Sequence, residues 1–350
     1  MRILGTGTAL PPYYYPQETL IAAFREHWGR RLDRFSVLER LHMATGVDGR
    51  YLTLPIEAYP DLKQWGKAND IWIETAQELG QQAICRALHA ARIERDRIAA
   101  LFFVSISGVC SPSIDARLVN RMRLNRNIKR IPIFGLGCVA GAAGLARAAD
   151  YVKAYPDQVA VLLSVELCSL TLQQDDLSMA NLISVGLFGD GAAATVVAGA
   201  QVTNSDGPEI VATQSVFYPD TERVMGWDIS EKGFQIVLSK QVPEVVEANL
   251  GHDVDSFLAG RGLTRGDIES WVLHTGGPRV LEATATALGL PDDALEVSWQ
   301  CLRRTGNLSS ASVLFVLEEV MKNRRPAAGT WGLLAAMGPG FCSELLLLRW

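Results

Sequence analysis

Apolar residues in this chain fall into short continuous runs that alternate with longer stretches of helical periodicity. A short apolar run predicts a buried strand, whereas apolar positions three and four residues apart predict an amphipathic helix. Helical periodicity extends over residues 70–92, after a predicted cap at Asn69 or Asp70. The main predicted strands are residues 2–9, 100–105, 159–165 and 331–336, and residues 189–197 predict a glycine turn followed by a further strand. Strands that alternate with helices in this way are typical of an α/β fold.

Three further segments of the first half have recognisable patterns. Mixed charged and apolar spacing over residues 17–43 predicts helices on the surface. Residues 46–65 contain several Tyr and Pro residues and predict a loop. Residues 113–122 predict a short helix that follows another loop.

The second half of the chain repeats the pattern of the first half. Residues 263–274 resemble residues 93–105, since in both segments an acidic residue and an isoleucine lead into an apolar strand. A polar, glycine-containing stretch at residues 204–208 separates the halves, so we predict two domains, residues 1–203 and 208–350. A duplicated α/β unit would bring corresponding helix starts together at the centre of the molecule.

Cys138 lies in a predicted turn and is a candidate functional residue. Residues 131–146 read as an apolar strand, a glycine turn and a helix that begins with Ala and Gly residues. The N-terminus of a helix carries partial positive charge and free N–H groups, which favour a thiolate over a thiol. Small residues around Cys138 also allow a bulky substrate to approach the sulfur. The alternative interpretation is a buried structural cysteine.

Two further residues lie where the duplicated pattern predicts functional groups. His274 ends a predicted strand and precedes a glycine pair, and Asn307 follows a glycine at a helix start equivalent to that of Cys138. Taken alone, His274 is compatible with a core histidine and Asn307 with a helix N-cap. Together with Cys138 they supply a nucleophile, its base and oxyanion donors. The sequence therefore predicts nucleophilic catalysis at the junction of the halves.

Charge and composition exclude several classes of protein. The formal net charge of −5 gives no basic patch for nucleic acid. The six cysteines are scattered without a C-x-x-C pair, which argues against a zinc site and against a disulfide framework. No uncharged apolar run reaches bilayer-spanning length, and the N-terminus lacks the apolar core of a signal peptide. We therefore expect a cytoplasmic protein with no membrane span and no nucleic-acid partner.

Five short motifs, spread along nearly the whole chain, carry a family resemblance. They are Gly135-Leu-Gly-Cys138, Leu187-Phe-Gly-Asp-Gly-Ala-Ala193, His274-Thr-Gly-Gly-Pro278, Gly306-Asn-Leu-Ser-Ser-Ala311 and Met337-Gly-Pro-Gly340. On these motifs the sequence resembles a type III polyketide synthase of the chalcone synthase-like group, within the thiolase fold. The resemblance implies two pseudo-symmetric α/β halves that form a five-layered αβαβα core. It also implies a homodimer, in which the loop at residues 110–113 reaches the partner's cavity.

The resemblance implies a role for each of the three central residues. Cys138 would carry the acyl chain as a thioester, and His274 would stabilise its thiolate. His274 and Asn307 would bind the thioester carbonyl oxygen and polarise malonyl-CoA, so that loss of carbon dioxide leaves an enolate for a Claisen condensation. Negative charge develops on an oxygen during this chemistry, so neutral or cationic donors are needed. We expect an acyltransferase whose substrates are acyl-CoA and malonyl-CoA, with no metal and no cofactor.

The resemblance also implies which residues line the substrate site. Phe188 and Phe234 match two aromatic gatekeepers between the CoA tunnel and the reaction cavity, while Arg50 and Arg279 are candidates to meet CoA phosphates. Solvated surface arginine is the alternative for both. The other implied lining residues are Ile106, Cys168, Thr171, Gly276, Gly277, Met337, Gly338 and Pro339.

Departures from the family pattern favour an apolar cavity. Ile106 and Cys168 stand where the family has threonine, and Met337 stands where its glycine loop usually has phenylalanine. Each buried methylene contributes about 0.8 kcal/mol. The run at residues 166–172 resembles that of bacterial members that accept long fatty acyl starters. We therefore expect a long-chain acyl starter and an alkylpyrone or alkylresorcinol product.

Three rival functions use some of the same residues. A β-ketoacyl synthase of the initiation type would perform one condensation with Cys138, His274 and Asn307. A cysteine-dependent acyltransferase or hydrolase would need a group to orient His274 and would form no carbon–carbon bond. A catalytically inactive partner subunit is the third rival, and the intact three residues argue against it.

Overall fold

Nine strands form one mixed sheet in the computed structural model of the protein, which describes residues 1–29, 31, 35–203 and 206–350. The strands are β1 (Arg2–Ala9), β2 (Tyr13–Pro16), β3 (Gly49–Leu52), β4 (Ile98–Val104), β5 (Lys129–Ile133), β6 (Val159–Leu167), β7 (Asp190–Ala198), β8 (Glu209–Phe217), β9 (Met225–Ser230), β10 (Gly233–Leu238), β11 (Ile268–Leu273), β12 (Trp331–Gly338) and β13 (Cys342–Arg349). The helices are α1 (Gln17–Trp28), α2 (Phe35–Met43), α3 (Trp65–Ala91), α4 (Ile114–Met122), α5 (Ala140–Ala154), α6 (Met179–Leu187), α7 (Val242–Ala259), α8 (Pro278–Leu288), α9 (Glu296–Thr305) and α10 (Ser312–Asn323). Strands β2 with β3 and β9 with β10 form two separate ribbons.

The nine-stranded sheet has two parts with the same topology. Its strand order is β11-β12-β13-β8-β1-β7-β6-β4-β5, and within the described residues the register joins β1 to β8 only at Arg2 and Glu209. In the N-terminal part β4 is parallel to β6, β6 is antiparallel to β7, and β7 is antiparallel to β1. Strands β11, β12, β13 and β8 repeat this arrangement in the C-terminal part. The predicted duplication of an α/β unit is therefore confirmed.

Helices cover the outer face of each part and fill the space between the parts. In β6, Val161 and Leu163 belong to the hydrophobic cluster around α3, whereas Leu162 belongs to the cluster around α5 and α10. In β12, Leu333 packs on the side of α7 and α8, and Leu334 packs on the side of α10. Strands covered on both faces are apolar throughout, which explains their continuous apolar runs. The layers confirm the predicted αβαβα core.

The two central helices begin against each other, and small residues make this possible. A Cβ atom on Gly141 of α5 would lie 2.1 Å from the carbonyl oxygen of Ser310, just before α10. A Cβ atom on Gly144 would lie 2.6 Å from the Leu162 side chain. Since interiors are close-packed, any larger residue at these positions would push the central layer apart. The Ala- and Gly-rich start of α5 thus brings the two helix starts together.

Two of the predicted segments differ clearly from the structure. Helix α3 begins at Trp65, before the predicted cap. Asn69 does not cap a helix, because its side-chain amide pairs with the backbone N–H and carbonyl of Val109 at 2.9 and 2.8 Å. The segment predicted as a loop, residues 46–65, contains β3 and the 3₁₀ helix Ile56–Asp61.

The predicted domain boundary falls between β7 and β8. Of its residues 204–208, Asn204 and Ser205 lie outside the described residues, and the division into two domains stays a prediction. Among the helices of the described residues, none combines the length and the apolar character needed to cross a membrane.

Candidate active site

Cys138 lies in the 3₁₀ turn Gly137–Val139, immediately before α5. Its side chain is buried, with 5% of the residue exposed. Gly137 has a φ of 54°, and a Cβ atom there would lie 2.8 Å from the ring of Pro339. Glycine is required at this position both by the left-handed backbone and by the contact with Pro339. The turn is therefore packed on the segment that follows β12 in the other half.

Asn307 is held by hydrogen bonds that also set the direction of its side chain. Its backbone N–H donates to the carbonyl of Leu187 at 2.9 Å, and its carbonyl accepts from Gly189 at 3.0 Å. Its Oδ1 accepts from the backbone N–H of Ser309 at 2.8 Å, and its Nδ2 lies 3.4 Å from the carbonyl oxygen of Gly276. Because Oδ1 is occupied by a backbone donor, the amide presents its N–H groups towards the glycine loop after β11.

His274 follows β11 directly and is 8% exposed. Its backbone N–H donates to the carbonyl of Ala335 in β12, and its carbonyl accepts from Gly276. The buried Nδ1 has no hydrogen-bond partner among the described residues. His274 is thus fixed through its backbone, and its ring keeps a nitrogen available for a substrate or a proton.

Ser309 connects the nucleophile to the donor and was not predicted as a site residue. Its Oγ lies 3.6 Å from the sulfur of Cys138, and its N–H bonds to Asn307. Its φ of 47° is unusual for a residue with a side chain. Contacts therefore run from Cys138 through Ser309, Asn307 and Gly276 to His274, across both halves. The only sequence signal for Ser309 was its place in the motif that contains Asn307.

Burial dominates the electrostatics of the site. It raises the pKa of Cys138 to about 12, a rise that Glu166 reinforces and the hydrogen bond with Ser309 opposes. It lowers the pKa of His274 to about 4. Both groups are therefore neutral at neutral pH when considered separately. A backbone N–H at the helix start lowers the pKa of Cys138, as expected, but desolvation of the sulfur outweighs this contribution.

A buried carboxyl group, Glu166, supports the site from β6 and was also missed. It accepts hydrogen bonds from the hydroxyl of Ser107 at 2.8 Å, from the N–H of Ile106 at 3.1 Å and from the hydroxyl of Ser310. Burial raises its pKa to about 7. Since Ser310 neighbours Ser309, Glu166 fixes the turn that lies against Cys138. Ile106 takes part in the site through its backbone.

A largely apolar cavity of about 110 Å³ has Phe188 in its wall, and the backbone of Phe188 pairs with that of Asn307. Cys138, His274 and Asn307 themselves do not line this cavity. One water molecule needs roughly 10–15 Å³ of such space, so several non-hydrogen atoms of a ligand fit. Cys168, Thr171 and Phe188 line it, and their contact with a substrate stays a prediction. Phe234 does not line it directly and is 1% exposed within an aromatic cluster. Its ring centroid is 5.9 Å from that of Trp227, which does line the cavity.

The two predicted CoA-binding arginines have different surroundings. Arg50 is 3% exposed and donates from Nη1 to the carbonyl of Phe188 at 2.6 Å. This burial contradicts the alternative of a solvated surface arginine, and the contact of Arg50 with CoA phosphates stays a prediction. Arg279 is exposed in the first turn of α8, and its role stays a prediction.

The predicted glycine-loop residues lie around the same junction. Gly277 has a φ of 126° and precedes α8, and Gly276 contacts Asn307. Met337 and Gly338 end β12, and a Cβ atom on Gly338 would lie 2.5 Å from the backbone N of Val139. These residues border the Cys138 turn, while their contact with a substrate stays a prediction.

Contacts through Ser309 and Gly276 thus connect a cysteine at the start of one central helix with an asparagine and a histidine from the other half. This is the arrangement that the resemblance to a condensing enzyme of the thiolase fold implies.

Comparison with known proteins then identifies the family. Residues 1–201 match the N-terminal domain of chalcone and stilbene synthases, and residues 209–350 match the C-terminal domain. The chain is 50% identical over 350 residues to 1,3,6,8-tetrahydroxynaphthalene synthase of Streptomyces peucetius subsp. caesius, covering 99% of this chain and 93% of that one. It is 32% identical over 362 residues to 3,5-dihydroxyphenylacetyl-CoA synthase of Streptomyces toyocaensis, covering 100% and 90%.

A solved structure agrees with this result. The crystal structure of 1,3,6,8-tetrahydroxynaphthalene synthase from Streptomyces coelicolor A3(2), a bacterial type III polyketide synthase, matches with a TM-score of 0.95 and 31% identity, covering 100% of this chain and 99% of that chain. The chain belongs to the chalcone and stilbene synthase family, the type III polyketide synthases. It is an acyltransferase that carries out malonyl-CoA-dependent condensation on CoA thioesters.

Proposed function

We propose that this enzyme uses malonyl-CoA both as starter and as extender and forms an aromatic polyketide of the tetrahydroxynaphthalene type. The observation that carries the proposal is the 50% identity, over 99% of the chain, to a 1,3,6,8-tetrahydroxynaphthalene synthase. Two-carbon units from malonyl-CoA can supply the whole carbon skeleton of such a product. The choice of starter therefore separates this reaction from that of a synthase primed by fatty acyl-CoA.

The first step is transfer of the starter to Cys138. The thiol and the imidazole are each neutral in their buried site, so loading requires the thiol proton to pass to His274 and leave a thiolate–imidazolium pair. Opposite charges that lie close together stabilise each other, which offsets part of the desolvation cost of either ion. The sulfur attacks the thioester carbonyl of malonyl-CoA, the carbon–sulfur bond to CoA breaks, and CoA leaves with a proton.

The second step is decarboxylative condensation. The Nδ2 group of Asn307 and the ring of His274 donate to the thioester oxygen of a second malonyl-CoA while its carboxylate leaves as carbon dioxide. The enolate that remains attacks the Cys138 thioester and forms a carbon–carbon bond, and the thiolate is released. A single oxyanion donor contributes about 10²- to 10³-fold in rate.

These donors account for the chemistry without a resident metal or cofactor, and we propose that none takes part. Dialysis of the purified enzyme against a chelator such as EDTA is therefore expected to leave the rate of product formation unchanged. A loss of activity that added metal restores would contradict this part of the proposal.

The apolar cavity favours a second candidate, in which a long-chain fatty acyl-CoA is the starter and the product is an alkylpyrone or alkylresorcinol. Leu20, Leu172 and Val185 are among its lining residues, and an alkyl chain would gain about 0.8 kcal/mol for each buried methylene. A single-condensation β-ketoacyl synthase is not favoured, because both family domains match chalcone and stilbene synthases.

The experiment that separates the candidates is an incubation with malonyl-CoA alone and with malonyl-CoA plus acyl-CoA starters of increasing length. Mass spectrometry identifies the products, and Cys138→Ala provides the background. An aromatic product from malonyl-CoA alone supports the first candidate. Products that form only with a long-chain starter support the second, and a product extended by a single two-carbon unit contradicts both.

Two further properties belong to this proposal. We expect the enzyme to act as a homodimer in the cytoplasm. Its mass in solution, measured by light scattering, tests the first expectation.

A further inference from the structure

The most unusual charged group outside the three central residues is the guanidinium of Arg50. Its Nη1 donates to the carbonyl of Phe188, but Nε and Nη2 are buried and have no hydrogen-bond partner among the described residues. Leaving part of a buried cation without partners is costly, so such groups usually meet a ligand, an anion or water. The position of the free N–H groups therefore points to a binding function.

The charge of Arg50 is not neutralised by a direct ion pair within the described residues. Asp190 attracts the cation electrostatically, but its carboxylate accepts hydrogen bonds from Thr53, at 2.7 Å to both N and Oγ1, and from Ser169, at 2.8 Å from N. Burial lowers the pKa of Arg50 to about 10. Arg50 consequently remains cationic at neutral pH.

Arg50 lines the apolar cavity next to Phe188, which connects the cavity wall with the catalytic asparagine. Phe188, whose carbonyl it binds, pairs through its backbone with Asn307. A Cβ atom on Gly306 would lie 3.1 Å from the Arg50 side-chain carbons. The side-chain carbons of Arg50 therefore pack against the residue that precedes the catalytic asparagine. Arg50 lines the cavity together with Phe188 and Cys168.

The two unpartnered groups form one edge of the guanidinium. The N–H bonds of Nε and Nη2 point in the same direction, and this fork matches the two oxygens of a carboxylate. A malonyl group transferred from CoA to Cys138 carries a free carboxylate at its far end. In an apolar cavity that carboxylate would be unfavourable unless a cation met it.

We propose that Arg50 binds the carboxylate of a malonyl starter carried by Cys138 and thereby selects malonyl over alkyl starters. The inference rests on the proposed function, because it requires malonyl-CoA to serve as a starter. It assigns Arg50 to starter specificity, with the remaining cavity wall receiving the carbon chain. An alkyl starter gains nothing from this cation and must leave it without a partner.

The test is a competition between malonyl and octanoyl starters. Wild type, Arg50→Met and Arg50→Lys are incubated with malonyl-CoA and octanoyl-CoA, and mass spectrometry gives the ratio of malonyl-primed to octanoyl-primed product. Loss of a hydrogen-bonded charge is expected to lower this ratio about tenfold or more in Arg50→Met. Arg50→Lys keeps the charge but lacks the paired N–H groups of the guanidinium, so its ratio should lie between those of wild type and Arg50→Met.

Arg261→Met is the matched control. Arg261 also donates to a backbone carbonyl, that of Phe257, but lies at the end of α7 away from the cavity, so the ratio should be unchanged. An equal fall of both products in Arg50→Met would overturn the inference, because a merely structural arginine would impair both starters alike. If Arg50→Met does not fold, Arg50→Gln must lower the ratio, since its amide can still donate to Phe188 but carries no charge.

Wild type with malonyl-CoA alone separates this inference from the proposed function. If it forms an aromatic product and the ratio is unaffected in every Arg50 variant, the function stands and the inference fails. If wild type forms no malonyl-primed product at all, both fail.

Discussion

The two halves of the molecule build the same turn at the start of their central helices but give it different side chains. In the N-terminal half the turn is Gly137–Val139, and in the C-terminal half it is Ser309–Ala311. The first residue has a φ of 54° in one turn and 47° in the other. Glycine occupies this position in the first turn and serine in the second. The shared backbone is inherited from the duplicated fold, whereas the chemistry depends on what each half adds to it.

The comparison corrects the predicted correspondence between Cys138 and Asn307. Cys138 is the second residue of its turn, so its structural counterpart is Ser310, and Asn307 lies two residues before the second turn. The N-terminal half therefore places a nucleophile in the turn itself. The C-terminal half places its donor ahead of the turn and uses a strained serine to connect the donor to the nucleophile. Strain of this kind is typical of functional sites.

The largest expected effect is the loss of the nucleophile. Cys138→Ala should lower product formation more than about a thousandfold, because it removes the sulfur that carries the acyl chain. The matched control is Cys301→Ala, which removes another buried, free cysteine in the C-terminal half. Product formation by mass spectrometry checks both. Comparable activity in Cys138→Ala and wild type would contradict the assignment of the nucleophile.

Next in size is the loss of the donor. Asn307→Asp preserves shape but replaces the N–H groups with a carboxylate oxygen, and should lower the condensation rate about 10²- to 10³-fold. Asn323→Asp makes the same change at the exposed end of α10 and should leave the rate unchanged. Steady-state kinetics gives the comparison. A raised KM with an unaltered kcat in Asn307→Asp would mean that Asn307 only binds substrate.

A smaller effect concerns the pH dependence of stability. The pKa of His274 is about 4 in the folded protein, against an ordinary value of 6.5. Between these values the unfolded chain binds more protons, so the free energy of unfolding falls as pH falls, by up to about 3 kcal/mol for this residue. His274→Gln should remove that share of the decline.

Urea unfolding at pH 7 and pH 4.5 measures how far the free energy of unfolding declines between these two pH values. Taking the difference between wild type and variant cancels the opposite contribution of Glu166, whose raised pKa gives stability at low pH that is lost as pH rises through about 7. His89→Gln, at an exposed position in α3, serves as the control. An identical decline in wild type and His274→Gln would show that His274 is not buried in a neutral form.

The smallest effect tests the glycine of the first turn. Gly137→Ala places a side chain on a left-handed backbone and against the ring of Pro339. It should lower the free energy of unfolding by about 2–3 kcal/mol. Gly289 has a similar φ of 62° with open space around it, so Gly289→Ala should cost only about 1 kcal/mol. Equal costs for the two variants would mean that the contact with Pro339 carries no energy.

Much of the fold was predictable because its patterns are local. Strand β1 has the predicted bounds, and α4 begins directly after Ser113, as its sequence indicates. The start of α3 was not predictable, because Asn69 resembles a helix cap and its actual partner, Val109, is distant in sequence. The local sequence pattern does not show which residue, distant in sequence, will be the hydrogen-bond partner of a side chain.

The same distinction applies to the site. Cys138, His274 and Asn307 were identified from their positions at strand ends and helix starts. Ser309 and the buried state of Arg50 could not be identified in this way. Arg50 stands on a short strand beside exposed tyrosines, and its burial depends on Phe188, which lies far along the chain. Contacts between segments decide such positions.

The central claim is that the N-terminal half supplies the nucleophile and the C-terminal half supplies the donors. Carbon dioxide release from malonyl-CoA by Cys138→Ala and Asn307→Asp tests this claim most directly. If the C-terminal half supplies the donors for decarboxylation, Cys138→Ala should release carbon dioxide within about tenfold of the wild-type rate while forming no condensed product. Asn307→Asp should release it about 10²- to 10³-fold more slowly. Loss of carbon dioxide release in Cys138→Ala, with release retained in Asn307→Asp, would contradict the account.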